Sequence, residues 1–278
     1  MRPANRRRAA GLAGLLAAGL WMAVAAAAER HVLLASTTST ENSGLFAWLL
    51  PAFEQDSGIA VRVVAVGTGA ALELGRRCDA DVLLVHAPEA EQAFVDAGYG
   101  LQRHELMVND YLLLGPPDDP AGVRGLSDIT EALRRIAAGG HRFLSRGDDS
   151  GTHRRERALW REAGLDPAAA GGSAYRESGA GMGATLNTAR AMGAYTLSDR
   201  GSWLGFGERA GLEELVAGDA RLVNRYSVIA VNPQHCPQVR AAEAERLVDW
   251  LRGPAGQARI GSFRIGGERL FTPAAYAD

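Results

Sequence analysis

Short β-branched runs alternate with helix-period runs from His31 onward, and that alternation constrains the fold more than any other feature. "HVLLAS" reads as a strand and "SGLFAWLLPAFEQDSG" as a helix. "IAVRVVAVG" and "ADVLLVHAP" read as further strands, with "GAALELGRRC" and "EAEQAFVDAGY" as the helices after them. A β-α-β-α order places helices on both faces of a sheet and predicts an α/β fold with mostly parallel strands. "RFLSRGDDSG" is then a strand that ends in a loop, and "THRRERALWREAGL" a helix. The tail helix is broken at Gly253 and Pro254.

Two stretches share a pattern. "NDYLLLGPP" begins at Asn109 and "NRYSVIAVNP" at Asn224, each with Asn, a charged residue, Tyr, an apolar run and Pro. The sequence between them is long enough for a lobe of its own, so the chain is expected to leave one lobe and return to it. The expected division is a discontinuous first lobe over 29–114 and 223–278, a second lobe over 115–222, and a two-stranded hinge between them. Two ordinary buried strands with similar starts are the plainer alternative.

Residues 1–28 are set apart from this pattern. A basic start with Arg2, Arg6, Arg7 and Arg8 precedes the apolar run "GLAGLLAAGLWMAVAAAA" and small residues at Ala27 and Ala28. That is the layout of a cleaved export signal, so a periplasmic location is expected. A membrane anchor is the alternative. Removing the segment takes away four Arg and no acid, which moves the formal charge from −2 to −6. A net-acidic chain with no basic block is a poor nucleic-acid binder. All 30 basic residues are Arg, which excludes Schiff-base and phosphate-loop lysine chemistry. Cys78 and Cys236 are the two cysteines. They could pair in an exported protein or stay as buried thiols. They are too few for a thiolate metal site, and no metal or cofactor is expected.

Three donor-rich stretches each follow a strand and open a helix: Ser36 to Thr40, Gly67 to Gly69, and "SRGDDSGTH" from Ser145 to His153. The ends of strands in open α/β sheets are where ligands bind. Free N–H groups and the dipole of a helix N-terminus favour an anion there. One such stretch alone is usually just an N-cap. Three in corresponding positions, one with Arg146, point to a shared anion. Asp148 or Asp149 is expected to orient Arg146. Ser150 and His153 also suggest a hydrolase, but such a nucleophile needs a base, an orienting third group and an oxyanion hole. No G-x-S-x-G elbow is present. His86 ends a strand and stands either near the site or in ordinary packing.

At these residues the chain resembles the periplasmic tungstate-binding proteins of ABC importers, the TupA family. The matching stretches include "STTSTENSGLFAWLLPAFE", "VGTGAALELG", "DADVLLVHAPEAE", "SRGDDSGTH", "GMGATL" and "AYTLSDRGSW". They cover most of the chain in order. One departure is Ser36, where the family usually has Thr; the hydroxyl is kept. The resemblance implies a two-lobed type II periplasmic-binding-protein fold that is not an enzyme. It implies that Thr37, Thr38, Ser39 and Thr68 on one lobe and Arg146, Ser150, Gly151 and Thr152 on the other hold tungstate, with molybdate or another tetrahedral oxyanion as the alternative. Gly181 to Gly183 are second-line backbone donors. A membrane permease and an ATPase are the implied partners of a monomeric receptor. Phosphate-binding proteins of the wider superfamily carry an acid that accepts the proton of hydrogen phosphate. His86 falls near that place here, which suits a dianion without a proton.

Overall fold

The computed structural model of the chain describes residues 30–167, 174–207 and 209–274. The expected export signal, 1–28, lies outside the described residues. In chain order the first elements are β1 (His31–Thr37), α1 (Thr38–Asn42), α2 (Leu45–Ser57), β2 (Ala60–Val66), α3 (Thr68–Arg76), β3 (Val82–Val85), α4 (Pro88–Asp96) and the long β4 (Gly100–Gly115). Next come α5 (Ile129–Ala138), β5 (Phe143–Ser145), α6 (Gly151–Glu162), β6 (Tyr175–Glu177), α7 (Met182–Met192), β7 (Thr196–Asp199), α8 (Arg200–Gly205) and β8 (Glu213–Val216). The chain closes with β9 (Val223–Val231), α9 (Ala241–Arg252), α10 (Pro254–Ser262), β10 (Arg264–Ile265), β11 (Glu268–Arg269) and β12 (Thr272–Pro273).

Local sequence sets several boundaries. Gly58 adopts φ 67° and ends α2, a left-handed cap that glycine takes without a Cβ clash. Asp128 caps α5 by accepting from the N–H groups of Thr130 and Glu131. Gly253 separates α9 from α10, and Pro254 opens the second helix, where its missing N–H would have had no helical partner.

The main sheet runs in the order β12-β4-β9-β3-β1-β2, with β7 and β8 also pairing with β4. Here the expectation of a mostly parallel sheet is corrected: the sheet is mixed. β1 is parallel to both β2 and β3, as the β-α-β order requires. β9 is antiparallel to β3 on one side and to β4 on the other. The physical reason is the path of the chain. The first part of β4 pairs with β9, and its last residues, Tyr111 to Gly115, pair with β7 and β8. The chain therefore climbs out of one set of strands on β4, and a strand that returns must run the other way. The two Asn-containing stretches meet on this crossing. Asn109 lies opposite Asn224 in the register, and Asn224 Nδ2 donates to Asn109 Oδ1 at 2.9 Å.

Period-2 alternation divides the core by sheet face. Leu34, Leu84 and Val228 belong to a cluster with Leu45, Leu49 and Leu247 from α2 and α9. Their neighbours Ala35, Leu83 and Ile229 belong to another, with Leu72 and Phe94 from α3 and α4. β4 does the same further along: Leu113 packs with Ile129, Leu133 and Trp160, while Leu112 and Leu114 pack with Leu186 and Trp203. The cysteine alternative left open by sequence resolves as a disulfide. Cys78, just past α3, is bonded to Cys236, just past β9, across a separation of 158 residues.

Candidate functional site

Four strand ends carry the polar residues of the site. β1 ends at Thr37, which caps α1, its side chain accepting from Thr40 N. β2 leads through Gly67 to Thr68, the first residue of α3. β3 is followed directly by His86. β5 ends at Ser145, and the loop after it reaches Ser150, which caps α6 by accepting from His153 N.

The Thr37 and Ser39 side chains meet the imidazole of His86. Thr37 Oγ1 lies 3.3 Å and Ser39 Oγ 3.4 Å from His86 Nε2. Thr37 Oγ1 is also 3.1 Å from Ser39 Oγ and 2.7 Å from Thr40 Oγ1. Thr40, not singled out from sequence, is buried. Thr38, by contrast, is an exposed residue, so of the expected hydroxyl residues it stands apart. Thr68 Oγ1 and Arg146 Nε are buried and have no hydrogen-bond partner among the described residues. Buried polar atoms without partners are uncommon and need a cause, such as a ligand.

The opposite wall closes on the same imidazole. A Cβ on Gly151 would stand 2.6 Å from His86 Cε1, so the backbone there can touch the ring because it is glycine. Beside it, a Cβ on Gly69 would stand 3.3 Å from Arg154 Nη2. Arg154, which sequence reasoning passed over, thus reaches from α6 to the start of α3. Thr152 is buried. A Cβ on Gly181 or Gly183 would meet no atom of the described residues within 4 Å. Their neighbourhood acts on the loop through Ser178 and Gly179 instead: Ser178 Oγ and Gly179 N both donate to the Arg146 carbonyl.

The acids of the loop divide their work. Asp148 pairs with the Arg146 guanidinium, and Asp149 pairs with Arg154 at 2.6 Å. Burial opposes ionisation of Asp148, but hydrogen bonds from Ser150 and the Arg146 charge outweigh it and hold the carboxyl below its usual range. Behind the loop, Glu156 accepts from Ser145 Oγ, from Trp160 Nε1 at 3.1 Å and from Tyr175 OH at 2.9 Å. Its burial pushes its pKa up to about 7 despite those bonds. Burial also lowers the His86 pKa below its ordinary value; the Arg146 charge adds to this, while Asp199 and the Asn224 hydrogen bond oppose it.

The hydrolase alternative fails on geometry. His153 Nδ1 accepts from Asp149 N at 3.0 Å, and Ser150 Oγ accepts from the His153 backbone rather than from its ring. Among the described residues the serine therefore has no imidazole base hydrogen-bonded to its hydroxyl. A cavity of about 380 Å³ flanks the site toward α4 and β9, lined by His86, Tyr111, Gly151, Arg154 and Arg221 among others. Thr37, Ser39, Thr68 and Arg146 do not line it.

The chain has known relatives in sequence and in fold. Residues 23–254 match the model of a PBP superfamily domain. The chain is 45% identical over 252 residues to the tungstate-binding protein TupA of Peptoclostridium acidaminophilum, covering 89% of this chain and 87% of that one. Among solved structures, it is similar to the tungstate-binding protein TupA from Desulfovibrio alaskensis G20, with a TM-score of 0.80, 46% identity, and coverage of 88% of this chain and 98% of that one. It is also similar to a structure described as the tungstate ABC transporter from Geobacter sulfurreducens, with a TM-score of 0.77, 43% identity, and coverage of 84% and 99%.

Proposed function

We propose that this chain, which belongs to the TupA tungstate-binding family of the PBP superfamily, is the tungstate-binding component of an ABC importer. It is a binding protein, not an enzyme. The reading divides it into one lobe over 29–114 and 223–278 and another over 115–222, with β4 and β9 as the hinge on which they close. Thr37, Ser39 and Thr68 are the donors of the first lobe, and Thr38 contributes through its backbone. Arg146, Ser150, Gly151 and Thr152 are the donors of the second. The released anion passes to a membrane permease driven by an ATPase. Residues 1–28 direct export and are removed, and the Cys78–Cys236 disulfide fits an oxidising compartment.

The observation that carries this reading is the pair of buried donors without protein partners, Thr68 Oγ1 and Arg146 Nε, set at the ends of β2 and β5. Hydrogen bonds to a charged group contribute about 1.5–3 kcal/mol each. Six of them give about 9–18 kcal/mol gross; the upper end, set against the lower end of an association cost of about 4–15 kcal/mol, reaches nanomolar binding, about −12 kcal/mol.

Calorimetry with tungstate, molybdate, sulfate and phosphate tests the proposal. Tight tungstate binding with weaker sulfate and phosphate is expected. Tight molybdate with weak tungstate would replace tungstate by its congener as the cargo, and no heat with any of the four would defeat the receptor reading.

A further inference from the structure

The hydrogen bonds around Asn224 assign His86 a tautomer, and that tautomer has a consequence for the charge it presents. Asn224 sets it. Its Nδ2 donates to Asn109 Oδ1 at 2.9 Å and to Tyr226 OH at 3.1 Å, which uses both amide protons. Asn224 Oδ1 faces the other way, accepting from Tyr111 OH at 3.1 Å and lying 3.0 Å from His86 Nδ1. A carbonyl oxygen only accepts, so with the Asn224 amide in this orientation Nδ1 carries the proton. A neutral imidazole has one N–H, which leaves Nε2 with its lone pair directed at the Thr37 and Ser39 hydroxyls. With no anion beside it, that arrangement is satisfied: a hydroxyl donates to Nε2.

An anion in the cleft changes this. The same hydroxyls turn to donate to it, and a bare lone pair is then left beside negative charge. We infer that capture of a tetrahedral dianion at this site is coupled to the uptake of one proton at His86 Nε2, turning a hydrogen-bond acceptor into a donor for the anion. The inference rests on the oxyanion reading of the site.

The groups facing His86 are consistent with such a switch. Arg146 from the loop after β5 opposes a charge on the ring, as does burial, while Asp199 at the end of β7 favours one. Asp199 Oδ2 is buried with no hydrogen-bond partner among the described residues. Tyr111 from β4 approaches Nδ1 at 3.4 Å; burial raises its pKa, so it faces the ring as a neutral phenol. Tyr226 from β9, also raised by burial, stacks on the ring with centroids 4.7 Å apart. Gly151 of α6 covers the remaining side. A bound dianion pairs with Arg146, offsets its repulsion and adds an attraction of its own, so both changes raise the affinity of Nε2 for a proton.

The linkage has a definite sign. The free protein holds His86 neutral above a depressed pKa, and the complex holds it protonated up to a raised one. Between those two values one proton enters with each anion, and affinity falls about tenfold for each pH unit of increase.

Calorimetry of the intact protein with sodium tungstate, near neutral pH and in buffers of different ionisation enthalpy, reads the proton directly. The expected result is one proton taken up per tungstate, with the dissociation constant rising about tenfold per pH unit in that window. His86→Gln offers an amide N–H that does not titrate, so its binding is expected to be independent of buffer and pH. As a check that needs no variant, the nitrogen NMR signal of His86 Nε2 in the unsubstituted protein is expected to move from the lone-pair type to the protonated type when tungstate is added. Tight binding with no buffer dependence, no change in the nitrogen signal, or proton uptake that persists in a folded His86→Gln protein would each overturn the inference. Absence of any tungstate binding would be a different failure, that of the receptor reading itself, and would take this inference with it.

Discussion

Arg146→Ala is expected to weaken tungstate binding by a factor of about 30 to 1,000, equivalent to roughly 2–4 kcal/mol. Arg146 is 7% exposed, and its Nε finds no partner within the described protein. It is therefore a desolvated cation with donor capacity held in reserve. Two losses combine in the substitution. The charge-assisted bonds to the anion disappear, and Asp148 is left without the cation that it pairs with, so that a carboxylate faces the incoming dianion. The fold should tolerate the change, because the Asp148 side chain is 21% exposed and can take up water. Titration calorimetry of the variant, with circular dichroism to confirm folding, gives the result. Affinity within about threefold of the unsubstituted protein, roughly 0.7 kcal/mol, would remove Arg146 from the site.

Removing the disulfide should cost stability and leave binding nearly untouched. Reduction, or the double change Cys78→Ala with Cys236→Ala, is expected to destabilise the protein by about 3–5 kcal/mol, because the bond closes a long loop. The separation of 158 residues makes the chain-entropy effect large. A shift in melting temperature on the order of 10 °C follows for a chain of this size. Tungstate affinity should change little, since the cysteines lie away from the hydroxyls. Thr68 opens α3 and Cys78 follows its far end, about 14 Å along the helix axis. Denaturant titration with and without reductant measures the first effect, and calorimetry under the same conditions the second. Loss of affinity in step with loss of stability would mean that the bond holds the cleft as well as the fold.

The N-caps of the candidate site were legible because their signals are local. A hydroxyl directly after an apolar strand and before a helix marks an N-cap, and Thr37 and Ser150 both act as one. The crossing was legible from a repeated Asn and Tyr pattern, since Asn109 and Asn224 face each other across β4 and β9. The mixed sheet was not. The direction of β9 depends on where β4 goes, and that path follows from tertiary closure rather than from strand periodicity. The part played by His86 was also hidden: its partners Thr37, Ser39, Tyr111 and Asn224 lie far from it in sequence, and no pattern brings them together. Exposure of Thr38 is set by which way the first turn of α1 points. The reach of Arg154 to Gly69 depends on how the chain brings the first turn of α6 near the start of α3. Those facts belong to three dimensions.

The central claim is that the hydroxyls after β1 and β2 and the loop after β5 close on one oxyanion. Diffraction from crystals of the tungstate complex, recorded at the tungsten absorption edge, locates the anion directly. The account predicts one anomalous peak whose oxygens lie within hydrogen-bond distance of Thr37, Ser39, Thr68 and Arg146. A peak instead in the neighbouring cavity lined by Pro88, Ala158 and Arg221, with those donors untouched, would contradict it.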